Sequence, residues 1–207
     1  MFDKNWRIKS VIESLRQPME DGLVQISRAA GTMTFPSKFI LVAASNPCPC
    51  GYLGSQKKPC TCLPGQVTRY RKRISGPILD RLDMFLAVPE VKVERLVGKV
   101  DPKIETSKQV RVRIQKARDG QTKRFKGLKS VCNGEMSTKE VKKFCPLDAK
   151  SLQMMQLAVE RMNLSARGYY RTIKVARTIA DLVGKYHISS DNIAEALQYR
   201  RREEETL

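Results

Sequence analysis

The stretch KFILVAASNPCPCGYLGSQKKPCTC, residues Lys38–Cys62, joins an apolar run to four closely spaced cysteines. The run Phe39–Ala44 is uniformly apolar and ends at Ser45-Asn46-Pro47, which predicts a strand buried on both faces of a sheet. In open α/β sheets, ligands bind at the carboxyl ends of the strands. The sequence therefore predicts an α/β core with Asn46 at its ligand-facing edge.

The segment after this strand is rich in Gly, Pro and Lys and carries two Cys-x-Cys pairs, formed by Cys48, Cys50, Cys60 and Cys62. Four thiolates suit a tetrahedral Zn²⁺ site, although a single residue inside each pair is tighter than the usual ligand spacing. The alternative is a reduced, partly buried loop. Cys132 and Cys145 lack such pairing and are expected to be ordinary cysteines. A catalytic thiol is not favoured, because the one histidine, His187, falls in a region that is predicted to be helical.

The charge of the chain indicates a polyanionic partner. The 207 residues contain 39 Lys and Arg against 21 Asp and Glu, a net charge of +18. Nucleic acid is the first choice and an anionic membrane surface the second. No apolar run has the length of a membrane span, and the amino terminus MFDKNWRIKS lacks the apolar core of a signal peptide. We therefore expect a cytoplasmic protein whose cysteines are thiols or metal ligands.

Residues before about 92 alternate between helical and strand patterns. Apolar residues recur at helical spacing over Ile8–Glu20, and a hairpin is predicted for Leu23–Ser27 and Thr32–Phe35, with Arg28 at its tip. A second apolar strand is predicted at Met84–Val88. Gln66–Arg73 is predicted to be a short helix or turn.

This short segment is strongly basic, with Tyr70 surrounded by Arg69, Arg71, Lys72 and Arg73. It is either a solvated charged face or, together with Arg28 and Lys38, a nucleic-acid contact surface.

Beyond residue 92 the patterns are helical. Capping boxes are predicted at Thr106–Gln109 and Ser137–Glu140, and the basic stretch Lys116–Lys129 between them is predicted to be a loop. Asp148 and Ser189 are predicted N-caps. The predicted core stripes of the later helices are Leu152, Met155, Val159 and Met162, then Ile173, Ala176, Ile179, Ala180 and Val183.

The predicted organisation is thus an α/β piece at 1–92, a linker at 93–103 and an all-helical domain at 104–207. Two internal strands and one hairpin are too few for a complete doubly wound sheet. We therefore interpret the first piece as a truncated core.

Three polar residues could form a phosphate site if the fold brings them together. Asn46 could orient a water or a terminal phosphate, or it could simply cap a turn. Arg81 and Arg167 could bind phosphate oxygens and stabilise charge that develops in phosphoryl transfer. The residues alone leave these alternatives open.

Five longer motifs of the chain resemble those of a known family. The motifs ESLRQPMEDG, ISRAAGTMTFP, AASNPCPCG, RYRKRISGPILDRLD and SARGYYRTIKVARTIADL occur in this order. They closely resemble the Mg-chelatase-like AAA+ ATPases of the ComM/YifB type, over almost the whole chain. The resemblance implies a P-loop NTPase core followed by a helical lid, assembled as a ring, usually a hexamer, with ATP and Mg²⁺ between subunits. It implies an ATP-driven branch-migration helicase that acts on DNA in transformation and recombination.

The same resemblance implies roles for individual residues. Asn46 would be sensor one, Arg81 the arginine finger that reaches a neighbouring subunit's ATP, and Arg167 sensor two in the lid. The hairpin around Arg28 resembles a pre-sensor insertion that such rings can turn toward the pore.

The chain also departs from the family pattern. It contains no G-x-x-x-x-G-K-[ST] phosphate loop and no apolar run that ends in Asp-Glu, and Asp3 has no adjacent glutamate. We interpret the chain as resembling the back half of an ATPase, which alone does not hydrolyse ATP and needs a complementing chain that carries those motifs. The alternatives are a non-enzymatic, basic DNA-binding or assembly module and, less favoured by the charge, a metal-chelatase subunit.

Overall fold

The computed structural model describes residues 10–29, 31–91 and 105–200. The described residues form two compact units, one up to Leu82 and the other from Asp83 onward. The linker that the sequence predicts at 93–103 lies outside the described residues. Within the described ranges, no helix is long and apolar enough to cross a membrane.

The first unit begins with helical backbone at 10–14, a turn at Leu15 and helix α1, Arg16–Asp21. Gly22 ends α1 in the left-handed conformation, with φ of 64°, and its N–H donates to the carbonyl of Pro18. Glycine adopts this conformation without the steric cost of a Cβ, which is why the helix stops here. The predicted helix is confirmed over its described part.

The predicted hairpin is also confirmed. Strands β1, Leu23–Arg28, and β2, Gly31–Pro36, pair antiparallel, with Val24 opposite Phe35 and Ile26 opposite Met33. These four side chains share one face, as the alternation predicts, yet Ile26, Met33 and Phe35 remain exposed.

The two buried strands predicted on either side of the cysteine loop are wrong. The backbone at 37–46 and at 84–91 is in neither helix nor strand, and Ile40 and Val42 are 86% and 88% exposed. Leu86 and Val88 are exposed as well. A strand buried on both faces needs neighbouring strands and covering layers, and the described residues supply only one two-stranded hairpin. Apolar composition alone therefore does not indicate burial, because the described residues provide no layers to cover these two segments.

The predicted short basic helix is present as α2, Pro64–Arg71, and is followed by the single turn α3, Gly76–Leu79. Both begin with proline in the first turn, where the missing N–H has no helical partner to lose. Val67 of α2 and Ile78 of α3 are buried.

The second unit is helical, as predicted. Its elements are α4 (Ser107–Arg124), a 3-10 turn (Asn133–Glu135), α5 (Thr138–Phe144), α6 (Ala149–Met162), α7 (Ala166–Leu182) and α8 (Ser190–Gln198). The predicted N-caps are confirmed at Thr106, Ser137, Asp148 and Ser189. The side-chain oxygens of Thr106, Ser137 and Asp148 accept from free amides of the first turn, whereas at Ser189 the backbone N–H donates to Oδ1 of Asn192 over 3.0 Å.

The loop predicted at Lys116–Lys129 is wrong for most of its length, because α4 continues to Arg124. Ala117 and Gln121 face inward from this last part of α4, and Phe125 is buried directly after it. Burial on this face outweighs the cost of Gly120 in the helix interior, about 1 kcal/mol.

The core of the second unit lies around α7. Met155, Ala176 and Ile193 are fully buried, and Ile173, Ile179 and Phe125 belong to the same cluster. The prediction of burial is wrong for Leu152 and Val183, which are 43% and 59% exposed. The buried positions of α6 are Ser151, Met155 and Ala158, whereas its two leucines, Leu152 and Leu157, are exposed.

Candidate metal centre and nucleotide-site residues

Two tight turns shape the cysteine loop. The N–H of Gly51 donates to the carbonyl of Cys48 over 3.1 Å, and the N–H of Ser55 donates to the carbonyl of Tyr52 over 3.0 Å. Gly51 and Gly54 have φ of 84° and 83°, which residues with a Cβ rarely adopt. The turns fold the loop back, so that the second Cys-x-Cys pair meets the first.

The four predicted metal ligands lie together, with their sulfur atoms all within 4.8 Å of one another. The Sγ of Cys48 is 3.3 Å from that of Cys50 and 3.7 Å from that of Cys60, and the Sγ atoms of Cys50 and Cys60 are 3.6 Å apart. A tetrahedron of sulfurs at the Zn–S length of about 2.3 Å has edges of roughly 3.8 Å. The donor type, number and spacing therefore fit a tetrahedral metal ion.

The acid-base chemistry of the cluster also favours a cation. Hydrogen bonds from the backbone amides of Tyr52 and Thr61 lower the pKa of Cys50 to about 6. At Cys62 the Cys50 amide lowers the pKa, but burial and the neighbouring sulfurs prevail and raise it to about 12. Four adjacent thiols thus cannot all ionise alone, whereas a bound divalent ion removes this repulsion.

Cys132 and Cys145 lie outside the cluster, as expected. Cys145 is buried in the helical core, and this burial raises the pKa of its thiol to about 11. This buried, isolated thiol is therefore a poor nucleophile.

The predicted nucleic-acid residues lie in three places in the first unit. Arg69 and Arg71 belong to α2, and Lys72 and Arg73 follow at its carboxyl end. Arg28 ends β1 at the hairpin tip, and Lys38 lies beside Gly22, after the hairpin. Four of the six cations therefore lie on α2 or directly after it.

Asn46 lies at the end of the irregular segment that precedes the cysteine loop. Its side chain is exposed and close to Gly51, where an added Cβ would meet its Nδ2 at 3.7 Å. Because the predicted strand is absent, the expectation that Asn46 ends a sheet strand is not met in this chain.

Arg81 is held by partners in its own unit. Its Nη2 forms an ion pair with Glu20 of α1, and its Nη1 donates to the carbonyl of Pro77 over 2.7 Å. The side chain is only 14% exposed. To reach a phosphate of another subunit, this guanidinium must first leave Glu20.

Arg167 is the second residue of α7 in the helical unit, and its side chain is half-buried. The preceding Ser165 caps the helix and accepts from the N–H of Gly168 over 3.0 Å. Arg167 thus belongs to the first turn of α7, at the positive end of the helix dipole.

Comparison with known proteins identifies the family. The pattern described as "Magnesium chelatase, subunit ChlI" matches residues 4–96, and "Magnesium chelatase, subunit ChlI C-terminal" matches residues 104–200. The chain belongs to the magnesium chelatase ChlI family. Within it, the chain is of the ComM/YifB type.

The most informative relatives of this family member are curated bacterial proteins. It is 40% identical over 193 residues to "Competence protein ComM" of Haemophilus influenzae, which covers 93% of this chain and 36% of that protein. It is 35% identical over 192 residues to "Uncharacterized protein YifB" of Escherichia coli, covering 93% of this chain and 37% of the relative. The chain spans about a third of the length of the curated relatives that it matches.

This magnesium chelatase family member also contains a buried charged network that sequence reasoning missed. The Asp181 carboxylate accepts from both Nη atoms of Arg124, from Nδ2 of Asn133 and from Arg177. Arg177 is 2% exposed and also donates to the backbone carbonyl of Lys185 over 2.6 Å. The network ties α4, the 3-10 turn and the end of α7 together.

The pKa of Asp181 lies below its usual value. Burial alone would raise it, but hydrogen bonds from Arg124 and Asn133 and the charge of Arg177 outweigh that effect. The only signal in the sequence was the four-residue spacing of Arg177 and Asp181 on one helix, which is also common on exposed faces.

Proposed function

We propose that this chain is the portion of a ComM-type AAA+ ATPase that supplies the sensor residues, the arginine finger, the helical lid and a basic DNA-binding surface. Its role in the assembled protein is ATP-driven remodelling of branched DNA, in competence and recombination. The observation that carries the proposal is the 40% identity to a competence protein over 93% of this chain. The charge of +18 supports a DNA partner.

The proposed nucleotide site uses three residues of this chain. Asn46 orients the attacking water, Arg81 contacts the terminal phosphate bound by a neighbouring subunit, and Arg167 binds phosphate from the lid. The Arg167 position supports this, because a phosphate there would also meet the free amides of the first turn of α7. ATP and Mg²⁺ are bound through a phosphate loop and an acid pair, motifs that these 207 residues do not contain.

A second candidate function is a non-enzymatic DNA-binding or assembly module. It is favoured by the ion pair between Arg81 and Glu20, which gives Arg81 a structural role that needs no nucleotide.

Complementation separates the two functions. The purified chain should not hydrolyse ATP, whereas mixing it with a polypeptide that carries the Walker motifs should create DNA-stimulated ATPase activity. In that mixture Arg81→Ala should lower the rate by about 10³-fold or more, the usual effect of losing an arginine finger. Turnover by the isolated chain, or a mixture without activity, would contradict the proposal.

Two control variants make the Arg81 result specific. Glu20→Gln breaks the same ion pair but keeps the guanidinium, so it should retain activity if Arg81 acts on phosphate. Equal loss in Glu20→Gln and Arg81→Ala would instead assign Arg81 a structural role. Arg113→Ala removes a cation that pairs with Glu105 on the exposed face of α4 and should have no effect.

We further propose that Cys48, Cys50, Cys60 and Cys62 hold a structural Zn²⁺, which the reducing cytoplasm would permit by keeping them as thiols. Bound zinc would offset half of the thiolate charge and fix the loop beside Asn46. Elemental analysis of the purified chain should give one zinc per chain, and Cys50→Ser should lower this content. Cys132→Ser is the matched control and should keep full zinc content; equal loss in both variants would contradict the assignment.

A further inference from the structure

We propose that the cysteine loop and α2 form a cleft that binds one unpaired base of single-stranded DNA, stacked on Tyr70. Arg69 and Arg73 contact the flanking phosphates, and metal binding to the loop holds the opposite wall. The inference deepens the proposed DNA-binding function and rests on it.

The cleft is built from one face of α2 and one residue of the loop. It has a volume of about 210 Å³ and is lined by Pro49, Gln66, Arg69, Tyr70 and Arg73. The four helical residues lie at positions i, i+3, i+4 and i+7, so they share one side of the helix and of the turn that follows it. Pro49 faces them from the loop.

The aromatic ring and the arginines of the cleft suit a nucleotide. The guanidinium carbon of Arg73 is 5.4 Å from the centre of the Tyr70 ring, a cation–π distance, and the Tyr70 side chain is only partly buried. A base that stacks on this ring would carry its phosphates past Arg69 and Arg73, both of which are exposed. Stacking platforms flanked by cations are the usual means of binding single strands without sequence preference.

The charge around the cleft is complementary to a phosphate backbone. No Asp or Glu occurs between Asp21 and Asp80, and this stretch contains eight Lys and Arg residues. The segment that forms the cleft therefore contributes no acidic side chain that would repel a phosphate strand.

Stacking also decides between single and double strands. In a duplex both faces of each base are covered by its neighbours, so Tyr70 could contact only the backbone. An unpaired base exposes the face that the ring requires. The cleft should therefore add affinity for single strands and none for duplexes.

The metal loop and the cleft are one structural element. Pro49 stands between the proposed ligands Cys48 and Cys50, and Nε of Arg71 donates to the carbonyl of Pro47 over 3.4 Å. Because a bound metal would hold the sulfurs on both sides of Pro49, we expect loss of the metal to open the cleft.

The test measures binding of the zinc-loaded full chain to fluorescein-labelled oligo-dT and to a labelled duplex by fluorescence anisotropy. Tyr70→Ala should weaken single-strand binding by about five-fold or more and leave duplex binding within about two-fold. Tyr70→Phe keeps the ring and should bind like the original chain. Tyr186→Ala removes an exposed tyrosine of the helical unit and should have no effect.

Two double variants that lose the same charge distinguish binding in the cleft from general electrostatic attraction to DNA. Arg69→Ala with Arg73→Ala should reduce the slope of log K against log salt by about 1.4, because two phosphate contacts are lost. Lys108→Ala with Arg118→Ala removes the same charge from α4 and should leave this slope unchanged. If the two double variants change the slope equally, the proposal that this cleft binds DNA is wrong.

The last part of the test measures DNA binding after removal of the metal. Chelation should weaken single-strand binding of the original chain to the level of Tyr70→Ala, and should weaken that variant no further. The Co²⁺-substituted absorption spectrum of each variant verifies that the loop still folds. An unchanged affinity of Tyr70→Ala with a normal spectrum overturns the inference alone, whereas a chain that binds neither DNA probe overturns the DNA-binding function too.

Discussion

The two units of this chain bury their apolar residues to very different extents. Among the described residues of the first unit, the buried apolar side chains are Cys48, Val67 and Ile78. The second unit has a continuous core around α7 and α8. The first unit thus contains strongly apolar sequence, including Phe39–Ala44, without the layers that would cover it.

This difference follows from the range of the interactions that each unit needs. A helix satisfies its backbone hydrogen bonds within its own segment, so α4 to α8 can each form locally and then pack against one another. A buried parallel strand takes its hydrogen bonds from other strands and its cover from crossover helices. The second unit therefore has a core of its own, whereas the apolar stretch Phe39–Ala44 stays largely exposed among the described residues of the first unit.

The largest expected effect is a contrast in amide hydrogen exchange of the full chain. Amides in the middle of α7 should be protected by about 10³-fold or more, because they exchange only on global unfolding of their unit. Amides of 37–46 should exchange at nearly the unprotected rate, apart from that of Ser37, which donates to the carbonyl of Gly22. Mass spectrometry of peptides from both segments measures the difference.

Adding the complementing polypeptide with the Walker motifs sharpens the contrast. It should protect 37–46 and leave the exchange of α7 unchanged. Strong protection of 37–46 in the isolated chain would contradict the comparison of the units.

The next effect tests the buried network of the second unit. Asp181→Asn should lower the free energy of unfolding by about 3 to 5 kcal/mol, because it leaves Arg177 buried without its carboxylate. Urea unfolding measures this change. Arg161→Ala, on the exposed face of α6, should change it by less than about 0.5 kcal/mol.

The destabilisation by Asp181→Asn should depend on pH. The pKa of Asp181 is lowered in the folded state from an ordinary value of 3.8, so its stabilisation is complete above about pH 4. It is lost as the pH falls through the lower, folded pKa. The difference between Asp181→Asn and the original chain should therefore shrink on acidification, and a constant difference would contradict the role of the carboxylate.

The smallest effect compares two apolar residues on α6. Met155→Ala should cost about 2 to 5 kcal/mol, because the methionine is fully buried and its removal leaves a cavity. Leu152→Ala should cost less than about 0.5 kcal/mol, since that side chain is 43% exposed. Equal losses in urea unfolding would mean that α6 packs through a different face.

The sequence predicts most helices and the hairpin because their signals are local. The caps at Thr106, Ser137 and Asp148 depend on side chains three residues from the amides they accept from. The clustering of the four loop thiols could be expected for the same reason, since both Cys-x-Cys pairs lie on one loop. The extension of α4 to Arg124 was missed because its burial against α7 depends on residues far along the chain.

Local patterns were enough to predict where helices begin, where the hairpin turns and which thiols could share a metal, because each of these depends on residues close in sequence. The folded chain adds what depends on distant segments. It placed Arg177 and Asp181 in the core, paired Arg81 with Glu20 and left Phe39–Ala44 uncovered. Burial and ion pairing depend on which distant segments meet, and an apolar or charged residue type has the same chemistry whether or not that partner is present.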